Sequence, residues 1–201
     1  MDLSSFSPAE RKLDRLAKRA QRGDARAFAS LYRESQPLVL RFLNRRLADA
    51  AAAEDLCAKT FERVVGKLGS FDAKKGVFEA WVIRIARNAL IDHLRSHRQA
   101  LGETALRGLV EHGPDPLQQV LQGERMRHLG QLLAESSPEE RELIALRYGD
   151  GLRHRAIAEL LGISEAAVRK RLSRALTQLR QRSRSLAQTH TPADEEVGYV
   201  Y

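Results

Sequence analysis

Residues 153–180, RHRAIAELLGISEAAVRKRLSRALTQLR, decide the reading of this chain. Ala156, Ile157, Leu160 and Leu161 put apolar side chains on one face of a helix. Gly162 follows where a helix C-terminus favours a residue that tolerates the left-handed conformation. Ile163 then reads as a buried turn residue, and Ser164 is placed to cap the next helix. In that helix Val168, Leu172, Ala175 and Leu179 recur at spacings of four, three and four, which builds one core face. Arg169, Lys170, Ser173 and Arg174 fall on the other faces, and no acidic side chain occurs from 166 to 184. The pattern is a helix-turn-helix. A helix of about 15 residues is roughly 22 Å long, enough to lie in a major groove with its first turns at base edges. The competing reading is a solvated amphipathic hairpin with a chance basic face; the pattern favours an element that reads DNA.

The rest of the composition agrees with that reading. A net charge of +8 and a pI near 10.0 suit a polyanionic partner. The 201 residues, 43% of them hydrophobic, are enough for one or two domains with real cores. No apolar run approaches the ~20 residues of a membrane-spanning helix. The N-terminus, MDLSSFSPAERK, lacks the apolar centre of a signal peptide, so a cytoplasmic protein without membrane insertion is expected. Cys57 is the only cysteine, which excludes an intrachain disulfide or a Cys-based zinc site. The six histidines read as scattered, without a paired ligand spacing on one helix face. Neither a metal nor any other cofactor is expected.

Strand signals are nearly absent and Ala, Leu, Arg and Glu dominate, which predicts an all-α fold. Ser7-Pro8-Ala9-Glu10 and Ser137-Pro138-Glu139-Glu140 each place Ser at the N-cap, Pro at the first helical position and Glu two residues later. Gly23-Asp24 ends one helix and caps the next. Helices are predicted at 8–22, 25–48, 51–67 and 77–97, then at 117–134, 138–148, 153–161 and 165–182. The stretch 99–116, QALGETALRGLVEHGPDP, breaks the periodicity with glycine and proline and reads as a flexible linker. Two small helical domains follow, a bundle over 8–98 and a helix-turn-helix module over 117–184. Residues 185–201 read as a flexible tail.

Two segments of the bundle exceed a generic helix. One is Ala53-Glu54-Asp55-Leu56, leading into Thr60-Phe61-Glu62-Arg63-Val64-Val65. The other is Phe71-Asp72, a short loop 73–77, then FEAWVIRIARNALIDHLRSHR over 78–98. In that helix Phe78, Trp81, Val82, Ile85, Ala89 and Leu90 can pack inward, whereas Arg84, Arg87, Arg95 and Arg98 project sideways or outward. A basic helix behind a polar loop, with aromatics at its start, suits a surface that holds a nucleic-acid backbone and stacks an unpaired base. Phe78 and Trp81 fit the core equally well, Arg95 and Arg98 fit a solvated helix end, and Glu54 and Asp55 fit simple first-turn acids.

In this order, with SPEERELIALRYGDGL and IAELLGIS…VRKRLSRAL after the linker, the motifs resemble those of the extracytoplasmic-function sigma factors of bacterial RNA polymerase. The resemblance covers about residues 25–98 and 128–182. It implies a sigma region 2 bundle that binds the core polymerase β′ coiled coil and melts the −10 promoter element. It also implies a region 4 module that reads the −35 element and touches the β flap. Carried over by position, Glu54, Asp55, Leu56, Lys59 and Phe61 lie in the polymerase-binding segment. Asp72, Lys74 and Lys75 lie in the loop that captures a flipped −10 base, and Arg84, Arg87 and Asn88 face promoter DNA. Ser164, Arg169, Lys170, Arg171 and Arg174 enter or flank the −35 major groove. Arginine bidentate to guanine is the usual specific contact there.

Two stretches depart from the family pattern. Cys57-Ala58-Lys59-Thr60 stands where the family pattern continues with a Gln-Glu pair, so Lys59 replaces a carboxylate in the polymerase-facing helix. Against a basic partner surface such a reversal turns attraction into repulsion. The adjacent Thr60 motivates a hypothesis: a Ser/Thr kinase restores the missing negative charge there and activates the factor. The alternative control partner is an anti-sigma factor. Arg153-His154-Arg155-Ala156 also departs, adding positive charge beside the DNA-reading helix. Two other functions compete with a sigma subunit: a stand-alone helix-turn-helix regulator that does not use core polymerase, and an Mg²⁺-dependent enzyme on nucleic acid using Glu54, Asp55 and Asp72. No carboxylate cluster of nuclease type surrounds those acids, so no enzyme and no catalytic residue is expected.

Overall fold

The computed structural model describes residues 8–101 and 130–189. The N-terminal bundle consists of α1 (Pro8–Ala20), α2 (Ala25–Asn44), α3 (Ala50–Lys67) with a 3-10 turn at Leu68–Ser70, and α4 (Phe78–Leu101). After a short helical stretch at 130–134, α5 (Pro138–Ile144) runs into a π-helical turn at Ala145–Gly149. The helix-turn-helix is α6 (His154–Leu161) and α7 (Glu165–Thr189). Among the described residues there is no strand, and the fold is all-α with two small helical domains.

Most helix ends follow from local chemistry. Asp24 caps α2 by accepting from the Ala27 N–H, and Ser137 with Glu140 closes a reciprocal capping box at α5. α2 ends at Asn44 rather than 48, because the chain tightens through Arg45 and Arg46 before Asp49 caps α3. α4 continues to Leu101, into the stretch read as linker, and α7 continues to Thr189, into the stretch read as tail. The remainder of both stretches, the helix expected from 117 to 129, and Ser7 lie outside the described residues.

α4 begins without a cap of its own. Val77 precedes it and has no side-chain oxygen, so the first amides must find acceptors elsewhere. Asp14 of α1 supplies one, its carboxylate accepting from the Phe78 N–H at 2.8 Å inside the core. Glu159 of α6 supplies another, accepting from the Val77 N–H at 2.9 Å.

The bundle core gathers Leu31, Val39, Leu43, Val64, Phe78, Val82 and Ile83, all almost fully buried. Leu146, Leu152, Ala156, Ile157 and Val168 of the second module belong to the same contiguous cluster, so the two modules share apolar packing. Leu132, Leu133 and Leu179 form a separate small cluster, with Ile144 packed against it. Fully burying a side chain of this size contributes about 1.5–3 kcal/mol.

Replacing Asp14 by Ala leaves the buried Phe78 N–H without its acceptor. The expected cost is about 1–3 kcal/mol, read as a lower urea midpoint for the full chain. An unchanged midpoint would show that the cap is dispensable.

Candidate nucleic-acid interface

The helix-turn-helix is built as its sequence requires. Gly162 adopts φ +67°, in the left-handed region, and ends α6. Ser164 caps α7, its hydroxyl accepting from the Ala167 N–H at 3.1 Å. Val168, Leu172, Ala175 and Leu179 are buried, and Arg169, Lys170, Arg171 and Arg174 are exposed. Arg169 pairs with Glu165 one turn back at 3.0 Å. Arg171 and Arg174 border an open cleft of 460 Å³ shared with Glu139 and Glu142 of α5. The Glu139 carboxyl is held below its usual range by its own backbone N–H, the Ser137 hydroxyl and, more weakly, Arg141 and then Arg171. His154, at the head of α6, is pushed down by burial and by Arg147, which favours its neutral form.

The candidate polymerase-facing helix divides into two faces. Glu54, Asp55 and Lys59 are exposed on α3. Leu56 and Phe61 are buried, Phe61 meeting the Tyr32 ring edge-on at 4.6 Å, so these two hold the helix from behind and present nothing to a partner. Thr60 is 0% exposed, and its hydroxyl donates to the Leu56 carbonyl at 2.7 Å. Expecting a phosphate at Thr60 is therefore corrected: helical periodicity turns this hydroxyl into the bundle, where a kinase cannot reach it and a dianion has no solvation.

The loop before α4 is pinned from several sides. Asp72 accepts from the Lys74 N–H at 2.9 Å, and its carbonyl accepts from the Lys75 N–H at 2.9 Å. Gln21, just after α1, donates to the carbonyls of Leu68 and Phe71. Phe71, Phe78 and Trp81 pack ring to ring at 5.4–5.5 Å beneath it. Phe78 is fully buried and Trp81 half-buried, which settles Phe78 as core. Asp72, Lys74 and Lys75 remain exposed, as do Arg84, Arg87, Asn88 and Arg95 along α4. The Arg98 side chain lies outside the described residues.

Several residues that join the modules carry no signal in the sequence. Glu159 accepts from the Val77 N–H, the Arg84 guanidinium donates to the Glu159 carbonyl at 3.3 Å, and Arg155 pairs with the Glu159 carboxylate. Burial raises the Glu159 carboxyl, opposed by the Val77 amide and Arg155. Asp150 is 0% exposed and is met by Arg45 at 3.3 Å and Arg46 at 3.1 Å, from the end of α2. Burial pushes Asp150 up as well, against the pull of Arg46, Arg45 and Arg41. Arg153 approaches the buried Glu79 at 3.7 Å.

Among the described residues no three His, Cys, Asp or Glu side chains are grouped to hold a metal ion. His93 and His97 are, however, one turn apart on α4 with rings stacked at 5.0 Å, which corrects the reading of the histidines as unpaired. The buried Cys57 thiol is pushed up to about 11 by desolvation. No described helix is long and apolar enough to cross a membrane.

Two family models match the chain in order: sigma-70 region 2 over residues 31–100 and sigma-70 region 4 over residues 127–179. The ECF RNA polymerase sigma factor BldN of Streptomyces coelicolor is 33% identical over 168 residues, 82% of this chain and 63% of that protein. The probable RNA polymerase sigma factor RfaY of Xanthomonas campestris is 36% identical, over 66% of this chain and 34% of that protein. The ECF RNA polymerase sigma factor RpoE of Cereibacter sphaeroides is 30% identical, over 79% of this chain and 87% of that protein. The chain thus spans less than two thirds of the length of the first two relatives. The solved structure of CnrH in complex with the cytosolic domain of CnrY shares the fold, with a TM-score of 0.54 at 22% identity over 90% of this chain and 99% of that one.

Thr60→Glu should destabilise the chain by several kcal/mol, of the order expected for burying an unpaired charge, while Thr60→Val should be tolerated within about 1.5 kcal/mol. Thermal unfolding of both variants checks this, and a Thr60→Glu protein as stable as wild type would contradict the burial.

Proposed function

The chain belongs to the extracytoplasmic-function sigma factors, and from that premise we propose that it binds bacterial core RNA polymerase and directs promoter-specific initiation. The observation that carries this reading is the presence, in one chain and in order, of both sigma modules with charged faces exposed on each. α3 docks on the β′ coiled coil through Glu54, Asp55 and Lys59. The loop bearing Asp72, Lys74 and Lys75, together with Arg84, Arg87 and Asn88, engages the −10 element. Ser164, Arg169, Lys170, Arg171 and Arg174 engage the −35 element, with the β flap against the same module.

The exposed arginines of α7 suit both jobs such a surface has. A bidentate guanidinium on guanine discriminates by about 1–3 kcal/mol, and contacts to phosphates position the domain and make affinity fall with salt. The protein acts by binding and melting rather than as an enzyme, in the cytoplasm with the polymerase. Retention of the whole first module, with its acidic α3 face, favours this reading over a stand-alone regulator. The burial of Thr60 favours control by a protein partner, such as an anti-sigma factor, over phosphorylation at that residue.

The test is binding to purified core polymerase followed by transcription from a selected promoter. Wild type should bind, and Lys59→Glu should bind more tightly, because an exposed carboxylate rejoins Glu54 and Asp55. Arg174→Ala should weaken promoter binding and reduce the slope of log affinity against log salt by about 1. Absence of polymerase binding by both wild type and Lys59→Glu would overturn the proposal in favour of a stand-alone regulator.

A further inference from the structure

We propose that His93 and His97 form a chelating site for one divalent transition-metal ion, of the copper, nickel or zinc class, on the outer side of α4. The geometry that points to it is two imidazoles one helical turn apart on the same face, with ring centres 5.0 Å apart. An imidazole nitrogen binds such an ion at about 2.0–2.1 Å, so two rings sharing one ion at a right or tetrahedral angle have centres roughly 4.5–5.2 Å apart. The free chain already holds that separation on a helix. Little conformational freedom is left to lose when an ion binds.

The surroundings fit an exchangeable ion at the edge of the bundle. His93 is half-buried and His97 is exposed, so one ring is anchored and the other is open to solvent. Asp92 beside them is committed to Arg63 of α3 at 3.1 Å. Asp49, which caps α3, and Lys59 both act on His93 by charge, in opposite senses. No third His, Cys, Asp or Glu is grouped with the pair among the described residues, so water completes the coordination. A structural metal would use four protein ligands. Imidazole suits copper, nickel and zinc, whereas magnesium and calcium call for oxygen.

A consequence for docking rests on the reading of α3 as the polymerase-binding helix. Lys59 and Arg63 stand on α3 beside the pair, exposed like Glu54 and Asp55. A bound dication adds positive charge to that edge, the opposite of Lys59→Glu, and lowers affinity for a basic partner surface.

The experiment titrates the full chain, free of any added histidine tag, with copper, nickel and zinc chlorides by calorimetry. Wild type should take one ion per chain, copper most tightly. His97→Ala, at an exposed position, should lower the affinity about a hundredfold, and His93→Ala likewise. His154→Ala, on the other module, should leave it unchanged. With copper bound, electron paramagnetic resonance should show two coordinated imidazole nitrogens, falling to one in His97→Ala. Binding unaltered when both His93 and His97 are replaced, one ion shared between two chains, or no binding at about 1 mM ion would overturn the site. Core polymerase binding is then measured for wild type and His97→Ala with and without saturating zinc. The ion should weaken wild type about tenfold and leave His97→Ala unmoved; equal effects on the two would overturn the coupling. Absence of polymerase binding without the ion would sink the sigma reading and leave the metal site standing on the titration.

Discussion

The head of α4 is the constraint on which the rest of the structure depends. A long helix with no cap of its own starts in the middle of the molecule, and its first amides must be satisfied there or the helix cannot be buried. Asp14 reaches the Phe78 N–H from α1, which fixes α1 across the bundle. Glu159 reaches the Val77 N–H from α6, which fixes the second module against the first. Beneath them Phe71 meets Phe78 edge to face and Trp81 packs tilted against both, anchoring the loop that precedes the helix. Three separate parts of the chain are positioned by one helix start.

The electrostatics follow the same economy. The chain carries a net charge of +8, yet several cations at the module boundary are met by acceptors there. Arg45 and Arg46 face Asp150 and Arg153 faces Glu79 across the boundary, Arg84 donates to the Glu159 carbonyl, and Arg155 pairs with the Glu159 carboxylate within α6. Exposed cations run along α7 and the outer face of α4, where a phosphate backbone can lie, and others stand on α1 and α2. A basic protein that must find one polyanion among many thus keeps part of its charge matched internally.

α3 shows how a single helix separates packing from recognition. Leu56, Thr60, Phe61 and Val64 turn inward and leave Glu54, Asp55, Lys59 and Glu62 on the outer face. The replacement of an acid by Lys59 therefore changes the surface a partner meets without touching the core. The neighbouring Thr60 belongs to the opposite face, and its hydroxyl is satisfied within its own helix.

Much of this was legible before any coordinates. The helix-turn-helix, its Gly162 turn, its Ser164 cap, the buried stripe of α7 and the capping box at Ser137 depend on residues three or four apart, and the sequence states them directly. Which face of α3 holds Thr60 is equally local, since the helical period puts it with Leu56 and Val64. The stacked pair His93 and His97 was also present in the spacing. The caps at Phe78 and Val77 and the burial of Asp150 were not, because their partners lie 64, 82 and 104 residues away. Hydrophobic period and capping chemistry determine what each segment becomes. Only the tertiary structure decides which distant carboxylate answers a buried amide or guanidinium, because desolvation penalises whatever is left unpaired once the modules meet.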